Sequence, residues 1–121
     1  MTAEFTAEAM RLMRDRSGGL CEVRWPSVCK GSGSALVGHH RRPRGSGGTK
    51  RESSRLAANG LMACTWCHDF LEHGERRRAR ELGFIVDQNA EPDAVRVFYR
   101  HERNVLLDNA GDIHECAERW K

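Results

Sequence analysis

A long apolar run, a strong charge imbalance and an even number of cysteines are all missing from this sequence. No stretch approaches the ~20 apolar residues that a membrane-spanning helix requires. Residues 1–16 also lack the basic and then apolar layout of a signal peptide. We therefore expect a protein that remains in the cytoplasm and does not bind membranes. The net charge of +3 is too small to indicate a partner by itself.

The chain contains five cysteines, and a metal site explains four of them better than disulfides do. Stable disulfides are rare in the cytoplasm, and an odd count leaves one sulfur unpaired. Cys64 and Cys67 have the spacing with which two thiolates converge on one tetrahedral ion. Cys21 and Cys29 are separated by seven residues, more than the usual spacing of about two to four, although Pro26 bends the intervening loop. The four thiolates would form a closed structural zinc site; alternatively, Cys21 and Cys29 are small buried hydrophobic residues.

We expect one α+β domain, because 121 residues build only a single thin core. Apolar spacing predicts a helix over residues 2–16, ended by Ser17-Gly18-Gly19, and a second helix over 66–82 that is broken near Gly74. Strands are predicted at 35–41, 84–86, 95–99 and 105–107, with a turn at 109–112. The chain thus divides into an N-terminal helical part (1–18), a core (20–86) and a β-rich extension (87–121).

Two adjacent histidines, His39 and His40, lie in the first predicted strand. Neighbouring residues of a strand point to opposite faces, so the two side chains should have different roles. One can bind a metal ion while the other meets water or substrate.

The loop after the histidines is basic. Residues 41–55 contain six lysines or arginines and a single acid, Glu52. Such a stripe beside a candidate site favours an anionic polymer, whereas a solvated surface linker is the alternative. The candidate phosphate-binding residues are Arg41, Arg42, Arg44, Lys50 and Arg51. A second basic cluster either extends this surface or forms a solvated helix face; it comprises Arg76, Arg77, Arg78 and Arg80.

These motifs, in this order, resemble those of the HNH endonuclease family, also called ββα-metal or His-Me finger nucleases. The resemblance covers about residues 21–86 and is strongest to phage-encoded members with a four-cysteine zinc site. Its elements are the first cysteine pair, Gly38-His39-His40-Arg41-Arg42, Asn59, and Cys64-Thr65-Trp66-Cys67-His68. It implies a β-hairpin and a helix that grip one divalent metal ion, with an N-terminal helix and a small β-rich extension added.

The resemblance also implies a role for each matching side chain. His39 would be a ligand of the catalytic metal, and His40 would be the general base that activates water. His68 would be the ligand offered by the helix. Asn59 would brace the loop and orient the base.

A third metal ligand is expected one helical turn after His68. A helix advances by about 100° per residue, so Glu72 lies on nearly the same face, whereas His73 lies roughly 140° away. Family members differ at this position, so Glu72 and His73 both remain candidates. Either could instead be an ordinary surface residue.

The primary hypothesis is a metal-dependent DNA endonuclease, a hydrolase of phosphodiester bonds with one structural zinc and one catalytic Mg²⁺, Mn²⁺, Ni²⁺ or Zn²⁺. It would nick DNA as a monomer, or cut both strands as a dimer or in successive nicks. The alternative is a non-catalytic, zinc-stabilised nucleic-acid-binding module. A third hypothesis follows from the phage resemblance: a nuclease that acts with terminase or portal proteins during packaging in the host cytoplasm.

Overall fold

A computed structural model describes residues 4–30, 35–43 and 51–116 and shows, within them, three α-helices and two small antiparallel sheets. The helices are α1 (Ala7–Ser17), α2 (Thr65–His73) and α3 (Arg76–Glu81). The strands are β1 (Leu36–His40), β2 (Gly60–Cys64), β3 (Val97–Tyr99), β4 (Arg103–Leu107) and β5 (Ile113–Glu115). The fold is therefore α+β, as the sequence predicted. None of the helices in these ranges is long and apolar enough to cross a membrane.

Helix α1 is bounded by two capping residues. The Thr6 side chain accepts a hydrogen bond of 2.9 Å from the Ala9 N–H, which sets the first turn. Gly18 ends the helix in the left-handed conformation, with φ of 62°. The predicted end is confirmed. The predicted start at residue 2 is wrong over residues 4–6, because the Thr6 cap begins the helix later.

Strands β1 and β2 form an antiparallel hairpin in which His40 pairs with Gly60 and Leu36 pairs with Cys64. Because side chains alternate along a strand, His40, Gly38 and Gly60 share one face, and His39 lies on the other. Helix α1 packs on the first face through Met13. The predicted opposition of the two histidines is confirmed.

The chain after β2 runs directly into α2 and then, across Gly74, into α3. The predicted helix with a break near Gly74 is therefore confirmed. The Gly74 N–H still bonds to the Phe70 carbonyl at 2.6 Å, so α2 closes its last turn before the chain turns away.

The predicted strand at residues 84–86 is wrong. Its N–H groups form hydrogen bonds that belong to no sheet. The Phe84 N–H donates to the Ala79 carbonyl at 2.9 Å, and the Val86 N–H donates to the Arg41 carbonyl at 2.7 Å. The segment is apolar because it is buried beneath the hairpin. The predicted strand at 95–99 is shorter than expected, since a 3-10 turn at Pro92–Ala94 precedes it.

A buried ion pair connects one helix and two strands of the fold. The Arg16 Nε and the Tyr99 hydroxyl each donate to Glu22 Oε2 at 2.7 Å. The Met62 N–H donates to the other oxygen of Glu22, also at 2.7 Å. Burial raises the pKa of the Tyr99 hydroxyl, which keeps it a donor. Helix α1, strand β2 and strand β3 are thus tied to one carboxylate, and removing one partner of such a pair typically costs about 3–5 kcal/mol.

Of the two glycines in the hairpin strands, Gly60 has less room for a side chain than Gly38. A Cβ there would lie inside van der Waals distance of the Met13 thioether and 2.9 Å from the Phe5 ring. At Gly38 the nearest atoms, on Phe5 and Met10, would be 3.2 and 3.3 Å away. We expect Gly60→Ala to lower the free energy of unfolding by about 1–3 kcal/mol. The matched Gly38→Ala should change it by less than about 1 kcal/mol.

Chemical denaturation followed by circular dichroism measures both values. Equal stabilities of the Gly60→Ala and Gly38→Ala variants would contradict this account of how α1 contacts the hairpin.

Candidate metal centres and catalytic cleft

Four cysteines converge where β2 meets α2. Their sulfur atoms all lie within 4.8 Å of one another; the residues are Cys21, Cys29, Cys64 and Cys67. Cys64 is the last residue of β2, and Cys67 lies in the first turn of α2. These four cysteines, the cysteine cluster, could hold a metal ion such as zinc. Cys116, the fifth, is half-buried and outside the cluster.

The wide spacing between Cys21 and Cys29 is absorbed by a tight turn. The N–H groups of Val28 and Cys29 both bond to the Trp25 carbonyl at 3.0 Å. Within the turn, Pro26 occupies the second position and Ser27 the third, where its φ of 69° suits a type II turn. The predicted bend at Pro26 therefore brings Cys29 back to the cluster.

Backbone N–H groups point at the sulfur atoms. Cys21 Sγ accepts from the N–H groups of Arg24 and Cys64 at 3.4 and 3.3 Å. Cys67 Sγ accepts from the Trp25 N–H at 3.4 Å. The hydrogen bond from the Cys67 thiol, together with the N–H groups of Arg24 and Cys64, holds the pKa of Cys21 well below its usual range. Because the thiolate is the form that binds a metal, this environment suits a cation-binding site.

His39, His68 and Glu72 form a second group, the His-Glu cluster, in which one ligand atom from each lies within 4.8 Å of the others. His68 and Glu72 are one turn apart on α2, with His68 Nε2 3.9 Å from Glu72 Oε2. His39 reaches them from β1. The helix and the hairpin thus present their ligands to the same point.

The surroundings of its two nitrogens suit the His39 ring to metal binding. Nε2 lies 2.8 Å from the Phe84 carbonyl oxygen, which can only accept, so Nε2 carries the proton. Nδ1 is buried and has no hydrogen-bond partner among the described residues. Burial lowers the pKa of His39 to about 4, so the ring is neutral and Nδ1 keeps its lone pair. A carbonyl that fixes the tautomer of a histidine is the usual arrangement behind a metal ligand.

His73 does not join this group. It is exposed on another face of α2, where its Nε2 lies 3.8 Å from Asp69 Oδ1. Helix α2 stays regular up to His73, so the geometry expected from the helical period holds. Of the two candidates for the third ligand, the structure brings Glu72 to His39 and His68.

His40 opens into a cleft of about 760 Å³ that runs beside β1. Its other lining residues are Glu4, Phe5, Met10, Gly38, Pro43, His68 and Glu72. The cleft therefore contains His40 together with two of the three side chains of the His-Glu cluster. The Phe5 ring covers one face of the His40 imidazole.

Asn59 braces the chain where it leaves β1. Its Oδ1 accepts from the Arg42 N–H at 2.7 Å, and its Nδ2 donates to the carbonyls of Arg42 and Ser54 at 3.3 and 3.0 Å. The Arg41 N–H bonds to the Asn59 carbonyl at 2.8 Å. Asn59 thus fixes the backbone two residues after His40, which is how it can influence that side chain.

The expectation that Arg41 binds DNA is wrong, because its side chain is completely buried. Its guanidinium donates to four carbonyl oxygens at 2.7–3.0 Å, those of Ala58, Gly83, Pro92 and Val95. Burial lowers its pKa to about 9, which still leaves it charged at neutral pH. Arg41 is therefore an internal brace and cannot reach a phosphate.

Arg42 is buried in the same way, so its expected DNA contact is also wrong. It donates to the hydroxyls of Ser53 and Ser54, to the Ala90 carbonyl at 2.6 Å, and to Glu91 at 3.3 Å. The loop after β1 is held by these contacts.

The remaining basic candidates differ in position. Arg51 has a side chain that is 41% exposed, 3.9 Å from the Glu91 carboxylate. Arg44 and Lys50 lie outside the described residues. In the second basic cluster, Arg76 donates to the Leu71 carbonyl, while Arg78 and Arg80 form exposed ion pairs with Glu81 and Asp87.

Two contacts of the site had no signal in the sequence. The Phe84 carbonyl that fixes His39 is a backbone group, which any residue could supply. Phe5 falls within the helix predicted over residues 2–16, whereas it precedes α1 and contacts His40.

Comparison with known protein families, with curated proteins and with solved structures found no match to this chain. The site must therefore be interpreted from its own geometry.

If the cysteine cluster binds zinc, replacing Cys67 and replacing Cys116 should have different effects. We expect Cys67→Ser to reduce the zinc content from about one ion per chain and to lower the free energy of unfolding by more than about 4 kcal/mol. The matched Cys116→Ser should retain both the zinc and the stability. Elemental analysis and thermal unfolding measure these quantities, and equal zinc contents in the two variants would exclude the cluster as the zinc site.

If the His-Glu cluster binds a metal ion, replacing Glu72 and replacing His73 should have different effects on metal affinity. In protein already loaded with zinc, Glu72→Ala should weaken the binding of a further Mn²⁺ or Ni²⁺ ion by more than about tenfold. His73→Ala should leave that affinity nearly unchanged, because its ring points away. Isothermal titration calorimetry distinguishes them; a greater loss in His73→Ala would assign the third ligand to His73.

Proposed function

We propose that this protein is a metal-dependent DNA endonuclease with a ββα-metal core, one structural zinc and one catalytic divalent cation. The observation that carries the proposal is the meeting of His40 with His68 and Glu72 of the His-Glu cluster in one open cleft. The order of β1, β2 and α2, and the cysteine cluster at the β2–α2 junction, support it.

The two adjacent histidines are suited to different steps of phosphodiester hydrolysis. His39 is buried, and its Nε2 proton is committed to the Phe84 carbonyl, so it is suited to hold a metal ion and not to exchange protons. His40 faces the cleft, where a water molecule and a phosphate can enter. An imidazole has a reference pKa of ~6.5, which allows it to accept a proton from water near neutral pH.

In the proposed reaction, His40 removes a proton from a water molecule that attacks the phosphorus atom. The bond between phosphorus and one ester oxygen breaks as the new bond forms, and the departing sugar oxygen takes a proton from solvent. His39, His68 and Glu72 would hold the catalytic ion. Two imidazoles suit Ni²⁺ or Zn²⁺, and the carboxylate suits Mg²⁺ or Mn²⁺. When bound, the ion supplies positive charge beside the scissile phosphate. Asn59 keeps the end of β1 in place through the Arg42 backbone.

DNA binding is proposed through exposed basic side chains outside the buried pair Arg41 and Arg42. Among the basic candidates that the structure describes, those with exposed side chains are Arg51, Arg77, Arg78 and Arg80. Phosphate contacts position a protein without reading bases, so we expect weak sequence preference and an affinity that falls with salt. One general base per chain implies one strand cut per binding event, so double-strand cleavage requires a dimer or two successive nicks.

The general base is tested by replacing His40. We expect His40→Ala to slow the nicking of supercoiled plasmid by more than about 100-fold, because proton transfer by a positioned base contributes that much. The matched His114→Ala removes an exposed histidine on β5, next to Asp108, and should retain full activity. Agarose gels with Mg²⁺, Mn²⁺ or Ni²⁺ measure cleavage, and circular dichroism confirms folding.

Activity of the His40→Ala variant equal to that of the unaltered protein would exclude His40 as the base. Folded, unaltered protein that binds DNA but cuts none with any of these ions would instead establish the non-catalytic nucleic-acid-binding module.

A further inference from the structure

The Phe5 ring stacks face to face on the imidazole of His40. The ring centroids are 3.9 Å apart and the planes differ by only 10°. Phe5 precedes α1 in the chain and is not a partner of His40 in any strand pairing. The contact therefore brings a residue from outside the hairpin onto the proposed general base.

The hairpin is shaped to accept this ring. Gly38 and Gly60 lie on the same face as His40, and a Cβ on either would come within 3.2 and 2.9 Å of Phe5 ring carbons, respectively. Larger residues at these positions would lift the ring away from the sheet. The two glycines thus provide a flat surface on which Phe5 lies beside His40.

The segment that carries Phe5 is held on both sides. The Thr6 N–H bonds to the Arg55 carbonyl at 3.2 Å, and Arg55 Nε donates to the Glu4 carbonyl at 3.1 Å. Thr6 is also the N-cap of α1. The backbone is therefore held immediately before and after Phe5, which keeps its Cβ beside the hairpin.

We propose that Phe5 is a positioning residue for the nuclease reaction, holding the imidazole plane of His40 so that the edge of the ring faces the cleft. A histidine ring can rotate about its Cβ–Cγ bond, and a flat neighbour stacked on one face restricts that rotation. A base held in its reactive orientation accelerates proton transfer without changing how substrate binds. The inference rests on the proposed function, since it assigns Phe5 to the same cleft.

The competing explanation is that Phe5 only fills the space over the two glycines. Phe5→Leu and Phe5→Tyr distinguish these explanations, because leucine retains apolar cover without a flat face and tyrosine retains the flat face. If Phe5 only fills space, leucine should support activity as well as tyrosine does. If stacking matters, tyrosine should support activity and leucine should not. Phe5→Met and Phe5→Trp provide a second pair should either of the first two fail to fold.

The experiment measures single-turnover cleavage of a labelled duplex and, separately, DNA affinity with Ca²⁺ in place of the catalytic ion. We expect Phe5→Leu to lower the cleavage rate about tenfold, with the dissociation constant for DNA changed less than about twofold. Phe5→Tyr should cleave within about threefold of the unaltered protein. Thermal unfolding establishes that the compared variants are folded.

A readout independent of activity is the proton NMR spectrum of the His40 ring. Stacking at this distance should move its carbon-bound protons upfield in the unaltered protein and in Phe5→Tyr, and Phe5→Leu should abolish the shift. A cleavage rate in Phe5→Leu equal to that of the unaltered protein would overturn the proposal, as would the absence of the upfield shift. If the unaltered protein shows the shift but cuts no DNA, the nuclease proposal itself fails and the role of Phe5 falls with it.

Discussion

The convergence of four cysteine sulfurs at the junction of β2 and α2 is the constraint on which the site depends. The cluster ties the loop that follows α1 to the end of the hairpin and to the first turn of α2. Several thiolates cannot share so small a volume without a cation, because like charges raise one another's pKa. A bound ion would remove that conflict. His68 directly follows Cys67, so the position of the helical ligand is set by the same cluster.

A second constraint comes from Arg41 and Arg42, which directly follow the paired histidines. A buried guanidinium is costly unless its donors are satisfied, and here four carbonyls surround Arg41. Those carbonyls belong to segments far apart in sequence, from Ala58 to Val95. The arginine therefore joins segments that lie outside the α-helices and strands. The motif has two roles: its histidines face the candidate site, and its arginines hold the scaffold around it.

Features set by local geometry could be predicted from the sequence. The break at Gly74, the bend at Pro26 and the placement of Glu72 beside His68 each follow from backbone or helical rules over a few residues. The burial of Arg41 could not, because charge patterning does not reveal carbonyls contributed by residues up to 54 positions away. The apolar run at 84–86 resembled a strand for a related reason. Its hydrophobicity reports burial, and burial alone does not distinguish a strand from an irregular segment.

The different environments of His39 and His40 follow from one property of β1, the alternation of its side chains. Shifting the pairing by one residue would exchange the two faces, placing His40 beneath Phe84 and His39 under Phe5. Gly38 of β1 opposes such a shift, since a Cβ at that point would already lie 3.2 Å from the Phe5 ring and 3.3 Å from the Met10 sulfur. A shifted β1 would place Val37 or His39 at that position in its stead. The packing of α1 against the glycine positions of the hairpin therefore determines which histidine is buried with the ligands and which faces the cleft.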